Sequence, residues 1–127
     1  MTIAFWCILA AGLMPIILAG IAKIGDRRFD NAEPRRWYEQ ITGYRQRAWW
    51  AQQNSFEILP LFAAAVLVAH VAGAEPAIID RLAIIFIVSR IAFAGCYLAN
   101  WATTRSLAWL AGLACCIGLF IAAAAGS

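Results

Sequence analysis

Charge is scarce in this chain. Asp, Glu, Lys and Arg make up 13% of its 127 residues, about half of the ~25% with which a soluble domain covers its surface. That shortage excludes a water-soluble globule. Histidine occurs once, at position 70, and no Cys/His cluster has the spacing of metal ligands. The cysteines are Cys7, Cys96, Cys115 and Cys116; no CxxC occurs, and all four fall in apolar stretches. They read as small buried hydrophobes rather than a disulfide framework. Internal repeats, low-complexity linkers and a second domain are absent too, and one domain is what this length supports. Without repeats or discontinuous helices, a transporter or channel is a weak reading.

Apolar side chains are what the sequence has. They account for 64% of residues, and the mean hydropathy is +0.74. Lipid can cover such a surface. The net charge of +3 does not point to nucleic acid, because the basic residues are confined. Seven of the ten lie in one segment, as Lys23, Arg27, Arg28, Arg35, Arg36, Arg45 and Arg47, mixed with Asp26, Asp30, Glu33 and Glu39. A mixed-charge loop between apolar runs is a topology signal.

Four runs approach the ~20 residues that a helix needs to cross a bilayer. They cover about 3–22, 48–72, 82–99 and 107–125. The first contains no charge and is interrupted by Pro15; it lacks the basic n-region of a signal peptide and exceeds its usual h-region. The second opens on Trp49 and Trp50, residues suited to a membrane interface, and stops at Gly73, Glu75 and Pro76. The last is rich in Ala and Gly, which lets helix backbones approach closely. With short connections after the second and third runs, the expected fold is all-α and integral to the membrane: four transmembrane helices in an antiparallel, left-handed bundle. The positive-inside rule places loops 23–47 and 100–106 in the cytoplasm and both termini outside.

Ionisable residues within spans are costly and mark function by default. Glu57 lies about ten residues, or about 15 Å, inside the second run. Arg90 lies at a similar depth in the third, so the two are expected to pair. Arg47, Trp50, Asn54 and Glu57 follow a 3-4-3 spacing on one helix face, and Arg90, Phe93 and Tyr97 follow i, i+3, i+7 on another. Arg105 sits at the cytoplasmic end of that helix or just beyond. One or two polar residues suffice to hold helices together; Arg47, Gln52, Asn54, Glu57, Arg90, Tyr97 and Arg105 are more than that. They suit an anionic, amide-rich, extended ligand, since arginine binds carboxylates and Asn, Gln and Glu read amides and amines. His70, about 20 Å beyond Glu57 along the helix, is too far to join them and reads as helix-end packing.

The stretch RQRAWWAQQNSFEILPLF from Arg45 resembles the MAPEG family, the membrane-associated proteins of eicosanoid and glutathione metabolism. Ala51, Gln52, Asn54, Glu57, Pro60 and Phe62 fit the family's pattern. SRIAFAGCYLANWATTRSLAW is similar to its third span through Arg90, Tyr97 and Arg105, and FDNAEPR in the first loop looks like the bacterial branch. The resemblance implies a homotrimer, a bacterial inner-membrane location, and glutathione bound between protomers near the cytoplasmic face. It implies that Gln52, Asn54, Glu57, Arg90 and Tyr97 contact glutathione, with Arg47 and a loosely aligned Arg28 assisting, and that Arg105 stabilises the thiolate. No metal is called for. Trp50 stands where several catalytic members have arginine, and Phe93 where some have tyrosine. The expected function is a glutathione-dependent transferase or peroxidase acting on hydrophobic electrophiles. The alternative is a non-catalytic accessory subunit or lipid-binding scaffold of a larger membrane complex.

Overall fold

Thr2 starts the first helix: its side chain accepts a hydrogen bond from the Phe5 N–H at 3.3 Å. In a computed structural model that describes residues 1–126, helix α1 spans Ile3–Lys23, α2 Pro34–Gln40, α3 Gly43–Val71, α4 Pro76–Leu98 and α5 Ala102–Gly126. All regular structure among the described residues is helical. α1, α3 and α5 are each long and apolar enough to cross a membrane. α4 carries Asp80, Arg81 and Arg90.

The helices extend beyond the apolar runs. α3 starts five residues before position 48 and α4 six before position 82, because polar residues such as Arg and Gln are good helix formers. α2 is unforeseen: its seven residues, PRRWYEQ, lie within the charged loop. Proline at its first turn suits the N1 position, and Trp37, 3% exposed, anchors it.

Two turns of the same construction end α3 and α4. In each, the residue after the C-cap has positive φ, Gly73 at 81° and Asn100 at 61°. At the first turn, Ala74 N–H bonds Ala69 O (3.0 Å) and Gly73 N–H bonds His70 O (3.2 Å). At the second, Trp101 N–H bonds Cys96 O (2.8 Å) and Asn100 N–H bonds Tyr97 O (3.1 Å). This is the Schellman pattern, which satisfies carbonyls that a helix end leaves free.

The chain alternates in direction. Ala4 N–H bonds Asp80 at 2.9 Å, Thr2 Oγ1 lies 3.3 Å from His70 Nε2, and Gly126 packs on the Ala74 backbone. One end therefore gathers the starts of α1 and α4 with the finishes of α3 and α5. At the other end Arg45 donates to Ala22 O (2.7 Å) and Arg47 to Leu98 O (3.1 Å). His70 is a packing residue, stacked on Phe5 at 4.3 Å, with Nδ1 donating to Val66 O.

Small side chains set the packing. Ala4, Cys7 and Ala11 on α1 meet Phe62, Ala65, Val66 and Ala69 on α3, with Phe86 stacked on Phe62 at 3.8 Å. Gly112 lets α5 approach α4: a Cβ there would stand 3.1 Å from Ser89 Oγ. Without a hydrophobic drive between helices in lipid, such close contact is the main source of association. Large apolar residues cover the outside instead, among them Trp6, Ile16, Val88, Leu107 and Ile121.

Asp26 ties the charged loop together. Its carboxylate accepts from Arg28 N–H, Nε and Nη2 at 3.0–3.1 Å and from Trp37 Nε1 at 3.0 Å. The bonds from Arg28, and then that from Trp37, hold its pKa well below the ordinary carboxylate range. A depressed acid pKa contributes order that is present above about pH 4 and lost as pH falls through the lowered value. Trp37 fluorescence is therefore expected to stay constant from pH 7 to pH 4. Asp26→Asn should shift it toward that of solvent-exposed tryptophan throughout that range.

Candidate functional site

α3, α4 and α5 build a polar site near the end that carries Arg45 and Arg47. A cleft of about 440 Å³ is lined by Asn54 from α3, Phe93 and Tyr97 from α4, and Arg105, Ser106, Trp109 and Leu110 from α5. A second, of about 430 Å³, is lined by Trp50, Gln53, Asn54, Glu57 and Tyr97. Asn54 and Tyr97 line both, so the two form one continuous depression.

Tyr97 is the hinge of this geometry. The Arg105 guanidinium lies over its ring, 4.5 Å from the centroid. Phe93 meets it edge-on at 5.4 Å, and Trp50 approaches at 6.4 Å. Arg105 belongs to the first turn of α5, where its N–H bonds Trp101 O at 2.9 Å, and not to the helix of Tyr97. The tight turn at Asn100 brings the two together.

Arg90 lies beneath the site and is 2% exposed. Nη2 donates to Asn54 Oδ1 (2.9 Å) and Ser55 Oγ (3.2 Å), and the guanidinium lies 4.1 Å from the Phe93 centroid. Nη1 is buried without a hydrogen-bond partner among the described residues. The expected pairing of Arg90 with Glu57 does not form. Their depths match, but their directions do not. Residues advance by about 100° each around a helix; Arg90 reaches the line between positions 54 and 55, and position 57 lies about 110° away from it. Glu57 faces outward, exposed, with no hydrogen bond or ion pair among the described residues.

The remaining candidates lie apart. Gln52 accepts a bond from Tyr38 OH at 3.4 Å; burial pushes that phenol's pKa up, so it stays a donor. Gln53 lines a further cleft of about 360 Å³ with Arg35, Tyr38, Glu39 and Trp49. Arg47 is engaged with Leu98 O. Arg28 is paired with Asp26 at 3.1 Å and borders a separate surface hollow with Arg36 and Trp37. The structure thus gathers Asn54, Glu57, Tyr97 and Arg105 around one depression with Arg90 below, and leaves Arg28, Arg47 and Gln52 outside its lining. Gln53, Ser106 and Trp109 join it unforeseen. Trp109 stands four residues after Arg105, the spacing that puts two side chains on one helix face.

No group of three or more His, Cys, Asp or Glu that could hold a metal occurs among the described residues. What the depression offers is one cation, one carboxylate, an amide pair and four aromatic rings, open on one side.

A search of curated proteins finds no match to this sequence. A family model does match, over residues 3–125. Together with three helices able to cross a membrane, that match makes this an integral membrane protein belonging to the MAPEG family.

Proposed function

We propose that the protein is a glutathione-dependent membrane transferase or peroxidase acting on hydrophobic electrophiles. One observation carries this reading: Arg105 lies over Tyr97 in a cleft that also holds Asn54, with apolar Phe93, Trp109 and Leu110 as further walls. A nearby cation lowers a thiol pKa from about 8.5 and so populates thiolate at neutral pH. Bound there, glutathione supplies the nucleophilic sulfur; its proton passes to water, a bond from sulfur to the electrophile forms, and the leaving group departs. Arg105 holds the sulfur's charge, Asn54 and Glu57 read amide and ammonium groups, and Arg90 positions Asn54. The apolar walls admit an electrophile from the bilayer.

The architecture that goes with this is four spans in a left-handed antiparallel bundle, assembled as a homotrimer. Ile84, Ile85, Val88 and Ile91 on the outside of α4 support its crossing the bilayer too. Glu57 supports the trimer: an exposed carboxylate within a span is costly against lipid, and a neighbouring copy would cover it. The basic end, with both connecting loops, faces the cytoplasm of a bacterial inner membrane, and the termini face outward.

Calorimetry with glutathione on the detergent-purified protein, with thiolate absorbance recorded at neutral pH, tests this. Binding with a thiolate signal is the expected result; absence of both would overturn it. The engagement of Arg28 and Arg47 elsewhere favours a second reading, a non-catalytic accessory subunit or lipid-binding scaffold. A stoichiometric large partner retained in mild detergent would favour that reading over the first.

A further inference from the structure

The second cleft differs in character from the first. Trp50, Gln53, Asn54, Glu57 and Tyr97 line it, and no lysine or arginine does. Trp50 and Tyr97 stand 6.4 Å apart with their planes inclined at 47°, leaving two ring surfaces at an angle. Arg105, which stacks on Tyr97, lines the first cleft only. Glu57 supplies the one charge, and no hydrogen bond or ion pair among the described residues uses it. Two inclined aromatic surfaces and a free carboxylate form the recognition chemistry of an ammonium group, because the ring faces are electron-rich and the carboxylate completes the charge.

We infer that this cleft is an ammonium subsite, selecting ligands whose cationic nitrogen has no carboxylate beside it. The inference deepens the thiol-site reading, on which it rests for the chemistry of the adjoining cleft. A carboxylate next to the ammonium would enter a space containing Glu57 and no cation. It would be repelled there, and the Trp50 ring offers it no hydrogen bond along its face. An unaccompanied or alkylated ammonium meets only favourable groups. The substrate class is then an aminothiol, or a longer thiol with an amine end, with sulfur toward Arg105 and nitrogen between Trp50, Tyr97 and Glu57. Glutathione fits less well, since its γ-glutamyl end carries ammonium and carboxylate on the same carbon.

Choline and glycine betaine are the discriminating probes, because both carry a trimethylammonium group and only betaine adds a carboxylate. Their binding is to be measured by ligand-observed NMR on the purified full chain in a maltoside detergent. Choline is expected to bind at least tenfold more tightly than betaine. Glu57→Gln and Trp50→Arg should each weaken choline at least tenfold, and Trp50→Phe, which keeps a ring, less than threefold. Trp50→Arg should also tighten glutathione about tenfold. Equal binding of choline and betaine would overturn the inference, as would choline binding that Glu57→Gln leaves unchanged. Glutathione binding without any choline binding would overturn it too, and leave the thiol-site reading standing. Choline binding without glutathione binding would do the reverse, sustaining the subsite while removing the glutathione assignment.

Discussion

Replacing Arg105 with alanine is expected to lower glutathione-dependent turnover about 100-fold or more, the usual effect of removing one preorganised charge at a reacting centre. The helical content and the assembly should not change. Arg105 is half-buried and makes no side-chain hydrogen bond, only its contact with the Tyr97 ring, so its removal strands no buried polar group. The pH profile gives the sharper test. With the cation gone, the bound thiol returns to an ordinary pKa of about 8.5. Turnover in the variant should then climb steeply between pH 7 and pH 9, where the parent enzyme is nearly flat. Arg105→Lys keeps a point charge without the planar fork and should recover about a tenth of the parent rate. An Arg105→Ala protein with full activity at pH 7 would remove this residue from the chemistry.

The second large effect concerns stability. Arg90→Ala is expected to cost about 3–5 kcal/mol, as losses of buried charged groups and large core side chains do. It would empty the space under the site, take one bond from Asn54 and one from Ser55, and remove the guanidinium from the Phe93 ring. Arg90→Met should cost less than half of that. It keeps a stem of similar length, and Ser55 retains its own bond to Ala51 O at 2.8 Å. Thermal unfolding in detergent separates the two variants. If Arg90→Met matched the alanine variant, the polar bonds would matter more than the packing.

Much of the fold was legible because bilayer solvation leaves a coarse signature. Apolar runs longer than 17 residues, breaks at Gly73 and Asn100, and a confined basic segment are all readable without coordinates. The resemblance carried by Asn54, Glu57, Arg90, Tyr97 and Arg105 agrees with the family match. Direction around a helix was harder to read. Depth along the axis follows from counting residues, and so Glu57 and Arg90 were correctly placed level. Facing depends on how α3 is rotated against α4, which the burial of Ala51, Ser55 and Phe62 fixes; these small and apolar residues gave no advance sign of it. The short helix α2 escaped for another reason. Its charged residues, Arg35, Arg36 and Glu39, conceal a single anchor, Trp37, whose partner Asp26 lies 11 positions away.

The bond from Asp80 to the Ala4 N–H bears on the order of events in biogenesis. α1 is the first helix to leave the ribosome, and its own N-cap satisfies one donor of its first turn. A second donor is satisfied by a carboxylate 76 residues later in the chain. Until α4 is made and docked, that turn frays or borrows water. The first span therefore enters the membrane early but is finished late, when the third long helix closes over its start.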